Sequence, residues 1–219
     1  MYIPAHFSAD DDAVRDLLIN HGAADLITST AKGLLATMLP FIYEEPGSTP
    51  DAGEHGRLLG HVARNNDHWR VPADGEALVI VRGPDAYISP AWYEAKREHG
   101  RVVPTWNYVT AHVYGRLVIH DDPSWVEALV RRLTTRHEGA RPRPWTVDDA
   151  PPPYIEGQLR AIVGLELVIS RIEAKFKLSQ NRSDADVAGV IEGLTTAGRS
   201  DIAEAMRDAP RPRKHLPTN

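Results

Sequence analysis

Apolar and polar positions alternate most clearly over residues 106–120. Tyr108, Thr110, His112 and Tyr114 share one face and Val109, Ala111 and Val113 the other, the two-residue period of a long strand. A second such run, 161–177, sets Val163, Leu165, Leu167 and Ile169 on one face. Between them, Trp125, Leu129 and Leu133 recur every fourth residue, which predicts an amphipathic helix over 123–138 with Asp122 as cap and Pro123 at its first position. Toward the N-terminus, residues 9–21 read as a helix capped by Ser8 and stopped by Gly22, with Asp10, Asp11 and Asp12 at its positive end. Runs 25–30 and 34–43, joined by Ala31-Lys32-Gly33, predict a hairpin, and 44–55 is a loop rich in Pro, Gly, Ser and Asp. A strand follows over 56–62 and a short polar turn or helix over 63–69. After a turn at Asp74-Gly75, the apolar run 77–81 predicts a strand ended by Gly83-Pro84-Asp85, with a short extended piece at 86–89 before Pro90. Residues 91–99 read as a brief helical or irregular excursion, 141–153 as a proline-rich connection, and 154–160, 184–194 and 200–207 as helices, the last two parted by Gly198.

Strands joined by short links, with helices before, between and after them, predict an α+β protein built on an antiparallel barrel or curved sheet. The β-α alternation of a doubly wound parallel sheet is missing. A chain of 219 residues, 42% hydrophobic and 25% charged, has the composition of an ordinary globular protein able to bury a core without staples. With no cysteine, disulfides, thiolate metal sites and a cysteine nucleophile are excluded, and a reducing compartment fits. Residues 1–7 do not read as a signal peptide, and no run approaches the roughly 18 apolar residues of a membrane span. The formal net charge of -5 argues against attraction to nucleic acid by the whole surface. Arg207, Arg211, Arg213 and Lys214 form a small basic end, interrupted by prolines, that reads as a solvated tail.

Three clusters carry the candidate chemistry: Gly60-His61-Val62-Ala63-Arg64-Asn65-Asn66, Val103-Pro104-Thr105-Trp106-Asn107-Tyr108, and Lys175-Phe176-Lys177-Leu178-Ser179-Gln180-Asn181-Arg182. Each mixes cations, amides, hydroxyls or aromatics, as a flat polar ligand with an anionic tail requires. Each also has a plain structural reading: a turn capped by Asn65 and Asn66, two core aromatics with a surface amide, and an exposed basic edge. Neither GxGxxG nor GxxxxGK[ST] occurs, so side chains and strand backbone would have to hold any phosphate. The ten histidines are scattered without HExxH or His-x-His spacing, which speaks against a metal site. A haem held by one histidine stays open. There is no GxSxG elbow, and no catalytic residue stands out.

The order of uncommon words along the chain resembles the PaiB-like family of FMN-binding negative transcriptional regulators. The resemblance runs from Met1-Tyr2-Ile3-Pro4-Ala5-His6-Phe7 through the 60–66 cluster, Gly83-Pro84-Asp85-Ala86-Tyr87-Ile88-Ser89-Pro90-Ala91-Trp92-Tyr93 and the 103–108 cluster to Ile162-Val163-Gly164 and the 175–182 block. It implies a single split-barrel domain over 1–219 of the FMN-binding type, with peripheral helices and a C-terminal helical extension from about residue 183. It further implies a cytoplasmic homodimer with FMN at the interface and a role in transcriptional repression. Carried onto matching segments, Thr37, Met38, Leu39 and Pro40 would line the flavin ring; the residues themselves suggest Trp106 and Asn107 as an aromatic and polar wall beside a ring ligand. His61, Arg64 and Asn65 would approach the ribityl chain and phosphate. Lys177, Gln180 and Asn181 would make a second contact from the same or the other subunit. Related folds also suggest a flavin-dependent oxidoreductase using NAD(P)H, and a protein for haem or another planar ligand is a further alternative. DNA is a possible partner that the net charge does not support.

Overall fold

The computed structural model describes residues 1–49 and 52–210. The basic tail from Arg211 onward lies outside them. The first elements are helix α1 (Asp11–Asn20), the hairpin β1 (Ala23–Thr30) and β2 (Gly33–Pro40), and strands β3 (Ile42–Glu44), β4 (Arg57–Ala63) and β5 (Ala77–Ile88). Helix α2 (Glu94–Glu98), strand β6 (Thr105–His120), helices α3 (Pro123–Glu138) and α4 (Pro152–Arg160), strand β7 (Ile162–Lys177) and helices α5 (Asp184–Thr196) and α6 (Ser200–Asp208) complete the chain. The strands form one antiparallel sheet in the order β2-β1-β5-β6-β7-β4-β3 that does not close, an α+β split barrel with helices around it. The β1–β2 register runs from Ala23 opposite Pro40 to Thr30 opposite Gly33, and β4 pairs with β7 from Arg57 opposite Val168 to Ala63 opposite Ile162.

Two expectations are corrected. The stretch Gly83-Pro84-Asp85 does not end a strand, because β5 runs through it to Ile88. The ladder between β5 and β1 covers only Leu78 to Ile80, so Pro84 lies beyond it and removes no donor from that pairing. Gly83 is there for closeness: a Cβ would stand 2.8 Å from Val109 Cγ1. The cap of α1 is Asp10, whose carboxylate accepts from Ala13 N at 2.8 Å, while the Ser8 hydroxyl donates to the Ala5 carbonyl instead.

The residues fall into two compact units, each drawing on β5, β6 and β7. One comprises Met1–Leu17, Arg82–Ala111 and the chain from Glu173. Its core joins Ile88, Tyr93, Val109 and Leu178 to the inner faces of α5 (Val187, Val190, Leu194) and α6 (Ile202, Ala203, Met206). Helix α5 lies directly on Trp92. A Cβ on Gly193 would fall 2.4 Å from the indole, and one on Gly189 would fall 2.1 Å from the Trp92 carbonyl oxygen.

The other unit comprises Leu18–Val81 and His112–Ile172. Val163, Leu165, Leu167 and Ile169 are buried as the alternation predicts, as are Leu26 of β1 and Val79 of β5. Leu129 and Leu133 of α3 pack on Ile42 and Leu59 with Trp125 alongside. A charged network centred on two buried carboxylates, Glu44 and Glu166, lies in this unit. The Arg57 guanidinium bonds Glu44, Glu166 at 3.0 Å and Thr49 at 3.1 Å, Arg132 holds the other oxygen of Glu44, and His120 meets Glu166 at 2.6 Å. Burial works to raise the Glu44 pKa, but hydrogen bonds and charge from Arg57 and Arg132 prevail and hold it below the usual carboxylate value. Among the described residues no helix is long and apolar enough to cross a membrane.

Candidate functional site

Strand β2 stands at one end of the sheet order, so among the described residues one of its edges has no strand neighbour. Leu34, Ala36 and Met38 project to one face and are exposed, Leu34 at 76% and Met38 at 72%. Leu35, Thr37 and Leu39 project to the other and are covered to varying degrees. The far end of β2 and the residues after it press on β4: a Cβ on Gly60 would lie 2.9 Å from both Leu39 Cδ1 and Phe41 Cδ1. That closeness brings the chain following β4 beneath Thr37. The Thr37 hydroxyl accepts from Asn66 Nδ2 at 3.1 Å and meets His68 Nδ1 at 2.7 Å. Asn66 Oδ1 in turn accepts from His68 N at 2.8 Å, capping the 3₁₀ turn Asp67–Trp69. Two imidazole nitrogens, His61 Nδ1 on β4 and His68 Nε2 in the turn after it, are buried with no hydrogen-bond partner among the described residues. Burial pushes the pKa of both rings down.

Arg64 is differently employed from what a phosphate contact needs. Its guanidinium forks onto both oxygens of Asp121 and also donates to the Arg160 and Ile162 carbonyls. The hydrogen bonds to Asp121 raise the arginine pKa, and those from Arg64 lower that of the aspartate. Asn65 is exposed beside it. Trp69 donates its indole N–H to the Arg64 carbonyl at 2.7 Å and carries cations over its ring, Arg64 at 5.5 Å and Arg70 at 5.1 Å from the centroid.

The other two clusters lie in the unit containing residues 82–111. Lys177 Nζ donates to the Thr105 hydroxyl and to the Trp106 carbonyl at 2.6 Å. Burial, then the nearby Lys175 and Arg182 charges, lower its pKa. Trp106 is 49% exposed; its indole N–H reaches Asp85 at 2.7 Å and its ring meets Tyr87 edge-on at 6.2 Å. Lys175 Nζ lies within 6 Å of the Tyr2, Phe7 and Tyr108 rings.

Two amides expected to face a ligand are instead turned inward. Asn107 is fully buried, donating to Ser179 Oγ at 2.9 Å and Met206 Sδ at 3.4 Å. Gln180 closes a loop on its own backbone, accepting from Leu178 N at 2.8 Å and donating to the Phe176 carbonyl at 2.6 Å. Ser179 between them holds φ at 65°, a conformation rare for a side-chain-bearing residue, and the Asn107 amide anchors it there. Asn181 is exposed. Sequence reasoning passed over Asn66 and His68 as partners of Thr37, and Asp121 as the counter-charge of Arg64. Only Asn66, standing just before Asp67-His68-Trp69 as a cap does, left a signal for them.

The buried histidines make stability depend on pH. His21 behaves as His61 and His68 do, held low by burial and by the Arg136 charge against the opposing pull of the Leu18 carbonyl. With folded pKa values below 6.5, the unfolded chain takes up protons first as pH falls. Their contribution is therefore complete above about pH 6.5 and is lost below it, each at no more than about 1.4 kcal/mol per pH unit. Urea midpoints measured from pH 7.5 down to 5 should fall, and the fall should be shallower in His21→Gln. A flat profile would contradict the burial of these rings.

An open antiparallel sheet with its ends parted and helices outside defines the split-barrel class, and solved structures share it. A conserved protein, Rv2991, from Mycobacterium tuberculosis superposes with a TM-score of 0.55 at 12% identity, covering 84% of this chain and 94% of that one. The flavocytochrome Anf3 from Azotobacter vinelandii gives 0.52 at 15% identity, covering 83% and 74%. Residues 1–171 match the family described as "Putative FMN-binding domain", and the chain belongs to that family. Among curated relatives, the "Protease synthase and sporulation protein PAI 2" of Bacillus subtilis is 32% identical over 213 residues, which are 95% of this chain and 97% of the relative. The PaiB-like resemblance of the sequence is thereby established.

Proposed function

We propose that this chain is a dimeric flavoprotein that takes FMN on β2 and the segment after β4 and acts in negative control of transcription. The observation that carries the reading is the way Thr37 is fixed. Asn66 and His68 bond it from below, while the same strand offers an edge without a strand neighbour and exposes Met38. A flavin ring needs such a surface, apolar to stack on and edged with backbone donors and acceptors. Unpartnered nitrogens on His61 and His68 fit a polar group brought to this place. Thr37, Met38, Leu39 and Pro40 would hold the ring, and His61 and Asn65 the ribityl chain. Arg64 would reach the phosphate only by sharing its hold on Asp121. Lys177 has two cations near it and, among the described residues, no carboxylate partner. It is the stronger phosphate anchor, supplied by a second copy of the chain. The exposed apolar face of Leu34, Ala36 and Met38 supports the pairing of copies. When bound, FMN supplies reversible acceptance of a hydride or of single electrons.

The regulatory part of the reading draws on the family resemblance and on the relative named for protease synthesis and sporulation. A net charge of -5 favours control through a partner or ligand over tight contact with DNA phosphates. The test is the visible spectrum of the purified protein, with mass analysis of what denaturation releases. A flavin spectrum and the mass of FMN are expected. A protein that stays colourless and takes up no added FMN would refute the flavin reading. Sedimentation tests the dimer, and a gel shift across salt concentrations tests DNA.

A further inference from the structure

The turn after β4 and the start of the following loop face part of β6 across a cavity of about 390 Å³. Its walls divide by chemistry. Trp69, Pro72, Leu117 and Ile119 give it apolar sides, whereas Arg70 and Arg116 bring two guanidinium groups, and among the described residues no carboxylate lines it. Among the described residues neither arginine has a carboxylate partner. Arg57, Arg64, Arg131, Arg132 and Arg171 of the same unit are all paired with one. The Arg70 guanidinium lies over the Trp69 ring, 5.1 Å from its centroid. His68 also lines the cavity. It is 3% exposed; its Nδ1 meets Thr37, and its Nε2 has no close hydrogen-bond partner among the described residues.

Two like charges beside one hollow, with no carboxylate among the described residues that line it, favour an anion there. We infer that this cavity binds a small ligand carrying an anionic head, phosphate or carboxylate, on a flat apolar body. The forks of Arg70 and Arg116 suit the head, because guanidinium meets either oxyanion through paired hydrogen bonds. The indole and the aliphatic walls suit the body. The inference does not depend on FMN: the two arginines lie outside β2, although His68, which lines the cavity, also meets Thr37 of that strand.

Calorimetric titration with three probes tests it: inorganic phosphate, benzoate and phenyl phosphate. An aromatic probe should bind more tightly than inorganic phosphate, and comparison of benzoate with phenyl phosphate identifies the preferred head. In the double variant R70Q/R116Q the tightest probe should weaken about tenfold or more, as expected for loss of charge-assisted hydrogen bonds. Both arginines are exposed, so the melting temperature should hold, and FMN affinity should hold as well. Undiminished probe binding by the double variant, or no binding of any probe at millimolar concentration, overturns the inference. A parallel fall in FMN affinity would also overturn it, by making the cavity part of the flavin site. Wild-type protein that takes phenyl phosphate but no FMN leaves this site standing and removes only the flavin reading.

Discussion

Replacing Arg57 by methionine is expected to lower the free energy of unfolding by about 3–5 kcal/mol, the usual effect of removing one partner from a buried ion pair. Glu44 is 8% exposed and Glu166 6%, and the arginine meets both. Without it, Glu44 keeps Arg132 and Glu166 keeps His120, so two carboxylates stay out of water with half their support. The methionine fills much of the volume, which isolates the electrostatic loss from a packing loss. Urea denaturation measures it. The cycle with Glu166→Gln should be markedly less than additive, since the two changes remove one interaction. An Arg57→Met variant within about 1 kcal/mol of the wild type would mean that water reaches this network and screens it.

Lys177→Gln should weaken FMN by about tenfold to a hundredfold, corresponding to the roughly 1.5–3 kcal/mol of a charge-assisted contact. Flavin fluorescence quenching measures the affinity. The same lysine bonds Thr105 and the Trp106 carbonyl, so a folding defect could imitate a lost contact. Lys177→Arg separates the two, because it keeps the charge and should keep most of the affinity. The pH dependence is a second signature. Lysine binds phosphate only while protonated, and burial with two neighbouring cations sets the pKa of Lys177 below 10.5. Affinity should therefore fall as pH rises toward that value, and the glutamine variant should lack the fall. Equal affinity in the wild type and in Lys177→Gln would end the role given to this residue.

How far the chain could be read in advance depended on whether a residue's neighbours were local. The alternation in β6 and β7 was legible because one face of each meets a core, as buried Val109, Ala111, Val113, Val163 and Leu165 show. The helix α3 was legible from Asp122, Pro123 and the four-residue repeat, and Asp122 does accept from Trp125 N. What could not be read depended mostly on partners distant in sequence, with Gln180, held by the backbone two and four residues away, the exception. Gly83 and Pro84 look like a turn until Val109 is known to lie against the glycine. Asn107 looks like a surface amide until Ser179, 72 residues away, is known to receive it. Arg64 and Gln180 have the side chains of ligand contacts, but Asp121 holds one and the neighbouring backbone the other, and no local pattern distinguishes a donor already engaged from one still available.

The seat of Trp92 on α5 constrains the order in which this protein can change. At Gly193 the obstruction is the indole itself, so a smaller residue at 92 would have to come first, after which the methyl group of alanine at 193 meets no ring. Taken in reverse, the same pair of steps passes through a clash. At Gly189 the obstruction is the backbone oxygen of residue 92, which no exchange of side chain removes. Two glycines four residues apart, alike on the page of a sequence, thus have different evolutionary freedom: one is contingent on its neighbour and the other is locked.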